Sequence, residues 1–148
     1  MHYVECPETY SGNVPSLFLA GGITGCTDWQ AEMVAMLGDT DLVLFNPRRQ
    51  NFPIHDPKAS EFQIKWEHEH LRKASAILFW FPHETLCPIV LYELGAWSMT
   101  NKTIFVGVHP EYKRRRDVDI QTRLVRPDVQ IVYSLSELSQ LVKSATQS

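Results

Sequence analysis

Residues 76–108 read AILFWFPHETLCPIVLYELGAWSMTNKTIFVGV, and the fold is decided here. Ala76 to Phe81 and Thr103 to Val108 are short, nearly unbroken apolar runs, as expected of strands buried on both faces. Between them Pro88 suits the first turn of a helix reaching Thr100. Strand, helix and strand in that order form a parallel unit, because a crossover helix carries the chain back to the end of the sheet where the first strand began.

The alternation continues outward. Ser16 to Gly21 (SLFLAG) reads as a strand that ends at a glycine pair. Thr27 and Gln30 have capping-box spacing before a helical stretch to Leu37. Asp41 to Asn46 is a second strand and Ser60 to Ala74 a helix. Asn46 to Pro57 reads as a loop and, beyond residue 108, His109 to Pro127 reads as another, polar and basic. Val129 to Tyr133 then makes a fifth strand, and Ser134 to Glu137 offers a capping box for a final helix. The expectation is a single α/β domain over residues 1–148, with 1–15 as an N-terminal extension and a five-stranded parallel sheet covered on both faces. In such sheets ligands bind at the carboxyl ends of the strands. The segments Ala20 to Asp28, Asn46 to Asp56, Pro82 to Glu93 and His109 to Gln121 therefore matter most.

Composition bounds the function. The 148 residues are 44% hydrophobic and 21% charged, values of an ordinary globular domain. Fourteen basic against 17 acidic residues leave a net charge of −3, which disfavours a protein held to nucleic acid by phosphate contacts. The run Lys113 to Arg116 is short, stands beside Asp117 and Asp119, and reads as a solvated loop or interface. Three cysteines, Cys6, Cys26 and Cys87, are odd in number and lack CxxC spacing, which points to free thiols in a reducing compartment and no zinc site. With no signal-peptide pattern and no apolar run near the roughly 18 residues of a membrane span, a cytoplasmic protein with no membrane partner is expected.

Few residues stand out for chemistry. LAGGITG (Leu19 to Gly25) is either a plain tight turn or a place where backbone approaches a ligand; it matches neither a dinucleotide fingerprint nor a phosphate loop. Glu93 lies about a turn and a half into a helix of otherwise apolar or small residues. A carboxylate there is either a buried structural acceptor or a functional group, since desolvating it is costly unless it is paired. In QIKWEHEHL, Gln63 and Glu67 share a helix face and Trp66 and His70 the neighbouring one. His68 and His70 point to different sides, which argues against a metal pair and reads as solvated surface.

FLAGGITG on the first strand, the Trp66-Glu67 helix, ILFWFP, and above all LYELGAW followed by Asn101-Lys102-Thr103 together resemble the nucleoside 2-deoxyribosyltransferase family, in its short, divergent branch. The resemblance spans roughly Ser16 to Leu138. It implies a flavodoxin-like fold, no cofactor and no metal, and a glutamate nucleophile that falls on Glu93, with Glu67 as the second carboxylate. The family's acid six residues before the nucleophile is Cys87 here, which implies either that His83, Glu84 or Thr85 contacts the base instead or that the base preference differs. Phe18 stands where the family carries an aromatic. Asn46 and Arg48 fall where this branch reads the nucleobase, although arginines solvated beside a proline turn are the plain alternative. Gly21, Asp28 and Gln63 complete the expected binding set.

Relatives that cleave nucleoside monophosphates carry serine and arginine where this chain has Gly22, Thr24 and Cys87, which favours nucleosides. Asp119 or Gln121 is the expected contribution from a neighbouring subunit of a dimer or hexamer. The implied activity is exchange of the base of 2′-deoxynucleosides with free nucleobases, through a covalent glutamate intermediate with retention. The alternatives are an N-glycosidase acting on nucleosides or their 5′-monophosphates, and a non-catalytic nucleotide-binding module.

Overall fold

A computed structural model describes residues 1–147. Its elements are β1 (His2–Glu5), β2 (Ser16–Gly21), α1 (Trp29–Met36), β3 (Val43–Asn46), α2 (Pro57–Lys73), β4 (Ala76–Phe81), α3 (Pro88–Ser98), β5 (Thr103–Val108), α4 (Arg115–Val125), β6 (Ile131–Val132) and α5 (Leu135–Thr146). The six strands form one parallel sheet in the order β1-β3-β2-β4-β5-β6.

Side chains alternate across that sheet. Phe18 and Ala20 of β2 and Ile77, Phe79 and Phe81 of β4 join Trp66, Val90, Leu94 and Val118 in one apolar cluster. Leu17, Leu19, Leu78 and Trp80 join Trp29, Met33, Leu138 and Val142 in the other. The helices α2, α3 and α4 thus cover one face and α1 and α5 the opposite one, a flavodoxin-like three-layer sandwich.

The sheet has six strands where five were expected. The sixth, β1, comes from the N-terminal extension and pairs with β3 from His2↔Val43 to Glu5↔Asn46. Only Val4 of HYVE is buried, so this edge strand has no apolar run to announce it. The second correction is α4, which occupies most of the stretch expected to be a loop. Its buried residues are only Val118 and Thr122, and the preceding charge run masks that narrow stripe. A third concerns the start of α1, where the cap is Asp28 and not Thr27, Ala31 N–H donating to Asp28 Oδ1 at 3.1 Å. Helix α2 starts at Pro57 behind Asp56, three residues before the expected Ser60. The final capping residue is as expected, with Glu137 N–H donating to Ser134 Oγ at 3.1 Å.

From β2 the chain goes to β3 on one side, then crosses by α2 to β4 on the other. The carboxyl ends of β2 and β4 therefore flank the point where strand order reverses, where open α/β sheets form a binding crevice. Lys102, in the turn before β5, caps α2 by donating to Leu71, Arg72 and Ala74 carbonyls at 3.1, 2.9 and 2.6 Å. A cation at a helix C-terminus also meets the negative end of its dipole. Among the described residues no helix is long and apolar enough to cross a membrane.

Candidate active site

Two glycines close the reversal point. A Cβ on Gly21 would meet the Trp29 ring at 2.2 Å and the Trp80 carbonyl at 2.7 Å. One on Gly22 would stand 2.9 Å from Cys87 Sγ and 3.1 Å from Thr85 Cγ2. The loops after β2 and β4 approach each other this closely because Gly22 lacks a side chain, and Gly21 leaves room for the Trp29 ring against β4. Trp29 Nε1 and Gln30 Nε2 then hold the Gly22 carbonyl at 2.9 and 3.2 Å.

Between these loops and α2 lies a cavity of about 320 Å³. Phe18 and Gly21 come to its wall from β2, Gly22 from the turn after it, Thr85 and Cys87 from the loop after β4, Glu67 from α2 and Glu93 from α3. Seven of the residues expected at the site from sequence thus meet around one space. Ala20, Ile23, Thr24, Pro47, Pro88, Ile89 and Val90 complete the lining; of these the sequence marks only Thr24 as a position near the ligand. The apolar ones carry no signal that distinguishes them from core residues.

The walls desolvate both carboxylates. Burial is the larger cause and the negative charge of Glu67 the second in pushing Glu93 up to about 8. Glu67 is also pushed up by burial, against the opposing effect of a hydrogen bond from Gln63. Two like charges in one low-dielectric site disfavour double ionisation, so the carboxylates titrate as a coupled pair in which the last proton is shared.

Other expected residues are engaged elsewhere. Arg48 donates to the carbonyls of Cys26 and Thr27 at 2.9 Å each and to Gln30 Oε1 at 3.1 Å, with Asp28 3.8 Å away. Asn46 accepts from the Arg48 amide at 2.9 Å and donates to Tyr3 Oη at 3.0 Å. Asp28, Asn46 and Arg48 tie the β2–α1 loop to the end of β3 and are absent from the cavity wall. Gln63 stands behind Glu67, 3.4 Å from its Oε1. His83 and Glu84 pair with each other at 3.0 Å, and the Thr27 amide holds the Glu84 carboxyl below its usual range; of the three substitutes for the missing acid, only Thr85 reaches the cavity.

Asp119 pairs with Arg115 at 3.5 Å. Gln121 lines a separate cavity between α3 and α4. Within one chain neither reaches the carboxylates.

His70 overturns the expectation of a solvated histidine. It is fully buried, stacked on Trp66 at 4.0 Å and edge-on to Phe45 at 5.0 Å. The N-terminal segment, whose path along α2 has no sequence signature, covers it. Cys87 adopts a left-handed φ of 51° as the N-cap of α3, a conformation uncommon for a residue with a side chain and often found at functional sites. Among the described residues no group of three or more His, Cys, Asp or Glu is placed to hold a metal ion.

A doubly wound α/β sheet with two desolvated carboxylates on one cavity at its reversal point is an arrangement that can hold a small ligand against two acids. The sequence model of the nucleoside 2-deoxyribosyltransferase-like family matches residues 14–112, and the chain belongs to that family. A comparison with curated proteins finds no match.

Proposed function

We propose that the protein exchanges the base of 2′-deoxynucleosides by two displacements at Glu93. The observation that carries this reading is the placement of Glu67 and Glu93 on one cavity under mutual charge repulsion. In the reactive state Glu93 is ionised and Glu67 holds the shared proton. A Glu93 oxygen bonds to C1′ as the C1′–N bond breaks, and that bond's electron pair leaves with the base, which takes the proton from Glu67. The product is a deoxyribosyl ester of Glu93. A second base attacks C1′ from the face the first one left, releases its proton to Glu67 and frees the Glu93 carboxylate. Two inversions restore the original configuration, and the kinetics are ping-pong. A 2′-hydroxyl would destabilise the positive charge developing on the sugar, which favours deoxynucleosides.

Glu93 also lines a wider groove between α2 and α3, with Ile64, Leu71, Tyr92 and Trp97. Water entering there would break the same ester and release deoxyribose, the hydrolase reading. Incubation with a deoxynucleoside and a different free base separates the two: a new nucleoside supports exchange, and deoxyribose without it supports hydrolysis. Glu93→Ala that exchanges bases as fast as the parent would refute the nucleophile.

The reading includes self-association. Helix α3 has Glu93 as its sole charged residue, while Ile89, Tyr92 and the following Met99 are 64%, 77% and 77% exposed. A helix apolar on every side belongs in an interior, and a second copy of the chain packed on α3 supplies one beside the cavity.

A further inference from the structure

The segment after β1 runs along α2, and its contacts fall on Gln63, Trp66, His70 and Lys73, one stripe of the helix. The Trp66 indole donates to the Glu8 carbonyl. The Tyr10 amide donates to His70 Nε2 at 3.4 Å, and Lys73 Nζ to the Tyr10 carbonyl at 2.8 Å. At the head of the stripe the Cys6 thiol donates to Gln63 Oε1 at 3.1 Å. Gln63 Nε2 donates to the Pro47 carbonyl at 2.7 Å and faces Glu67 Oε1 at 3.4 Å.

The orientation of this amide is determined by its partners. A carbonyl only accepts, so the nitrogen must face Pro47, and the oxygen is left for a donor. Cys6 is that donor: it is 1% exposed, and burial pushes its thiol up to about 11, so it keeps its proton at neutral pH. With the amide so held, the nitrogen beside Pro47 is also the atom presented to Glu67. Cys6 and the strand before it precede the region matched to the family, residues 14–112.

We propose that Cys6 and Gln63 are positioning residues of the carboxylate pair: the N-terminal segment, through the Gln63 amide, fixes which of the two glutamates holds the shared proton. An N–H donor favours the charged form of the acid it faces, and among the described residues Glu93 has no corresponding donor. The empty site therefore keeps Glu67 ionised and the proton on Glu93. The other charged or titratable groups around the pair are Cys87 on the cavity wall, His68, Arg72 and Tyr92 along the outer groove, and, beside Cys6, Glu5 at the end of β1 and Arg49 after β3; none of them makes a hydrogen bond to Glu67. On the exchange mechanism above, substrate entry must move one proton from Glu93 to Glu67 before attack. The nucleophile is thus neutral until the pocket is filled.

The test is a carbon-13 NMR titration of the glutamate side-chain carboxyls in the full chain, for the parent, Gln63→Met, Cys6→Ala and Cys6→Ser. Gln63→Met keeps the length of the side chain and removes the donor; Cys6→Ser keeps a donor on the amide oxygen. The parent should show Glu67 titrating below Glu93. In Gln63→Met the Glu67 transition should rise by about one pH unit, the scale of one weak hydrogen bond to a charge. Cys6→Ala should move it in the same direction by less, and Cys6→Ser should match the parent. A Glu67 transition unmoved in both Gln63→Met and Cys6→Ala overturns the proposal, as does Glu93 titrating first in the parent.

The titration needs no turnover. A shifted Glu67 transition in a protein that exchanges no base would refute the activity and leave this inference standing. Exchange with unmoved transitions would do the reverse. Should Gln63→Met fail to fold, the Cys6→Ala and Cys6→Ser pair decides the matter alone.

Discussion

Replacing Glu93 by glutamine should stabilise the protein, and increasingly so as the pH rises. An ordinary glutamate titrates near 4.5, whereas burial and Glu67 push Glu93 up to about 8 in the folded chain. Between those values the unfolded state has released a proton that the folded state still binds, so the parent's unfolding free energy falls as pH increases. The slope is about 1.4 kcal/mol per pH unit for one group. From pH 5 to pH 7.5 the parent should lose about 2–3 kcal/mol relative to Glu93→Gln, the lower figure allowing for solvent reaching a side chain that is only partly enclosed. Glutamine has the same shape and no charge, and the pH dependence of every other group largely cancels in the comparison.

Urea unfolding of parent and variant at pH 5, 6, 7 and 8 measures this directly, through midpoints at constant slope. The two proteins should be close at pH 5 and diverge upward in favour of the variant. A difference that stays flat within about 0.5 kcal/mol would mean that Glu93 is already ionised in the empty protein at neutral pH, and the argument from desolvation would fail. The gain in stability should accompany loss of base exchange, as when a group is retained for chemistry against its effect on folding.

Other outcomes follow from the same geometry. The pH profile of kcat/KM for exchange should be bell-shaped with its basic limb near 8, where the pair loses its last proton and with it the acid that assists the leaving base; a flat profile to pH 10 would exclude Glu67 as that acid. Arg48→Ala should destabilise by about 1–3 kcal/mol, because three carbonyl or amide acceptors lose a charged donor, and Arg48→Lys should not restore the fork; equal urea midpoints for all three would refute this. Iodoacetamide at pH 8 should label Cys26 in the native protein, while Cys6 and Cys87, both buried and pushed up to about 11 and about 12, should react only after denaturation, as read by peptide mass spectrometry. Tyr92→Arg with Met99→Glu should lower the mass found by sedimentation, and an unchanged mass would remove α3 as the contact between copies.

The apolar strands β2, β4 and β5 were legible because burial on both faces leaves unbroken hydrophobic runs. The short edge strand β1 was not, since a strand with one buried side chain has no periodicity to detect. Helix α4 failed for the opposite reason, its two buried residues being drowned by arginines whose charge says loop. Glu67 and Glu93 were visible as acids in unusual company, and the four-residue spacing of Gln63 and Glu67 shows in their contact. Their meeting in one cavity depends on β2 and β4 being neighbours, which no local pattern encodes. Arg48 illustrates the converse. A long cation after a strand can turn to a ligand or to nearby carbonyls, and only the folded loop decides that it takes the carbonyls.

The proposed second copy and the raised acidity range of Glu93 are linked. The groove between α2 and α3 opens one side of Glu93 to water, so the desolvation seen in a single chain is that of a pocket with one wall missing. A copy packed on Ile89 and Tyr92, which line that groove, would narrow it and disfavour the ionised form further. Because association is governed by mass action, the stability advantage of Glu93→Gln at pH 8 should then grow with protein concentration. An advantage that is identical in dilute and concentrated protein, while sedimentation shows association, would mean that the copies meet on some surface other than the one beside the carboxylates.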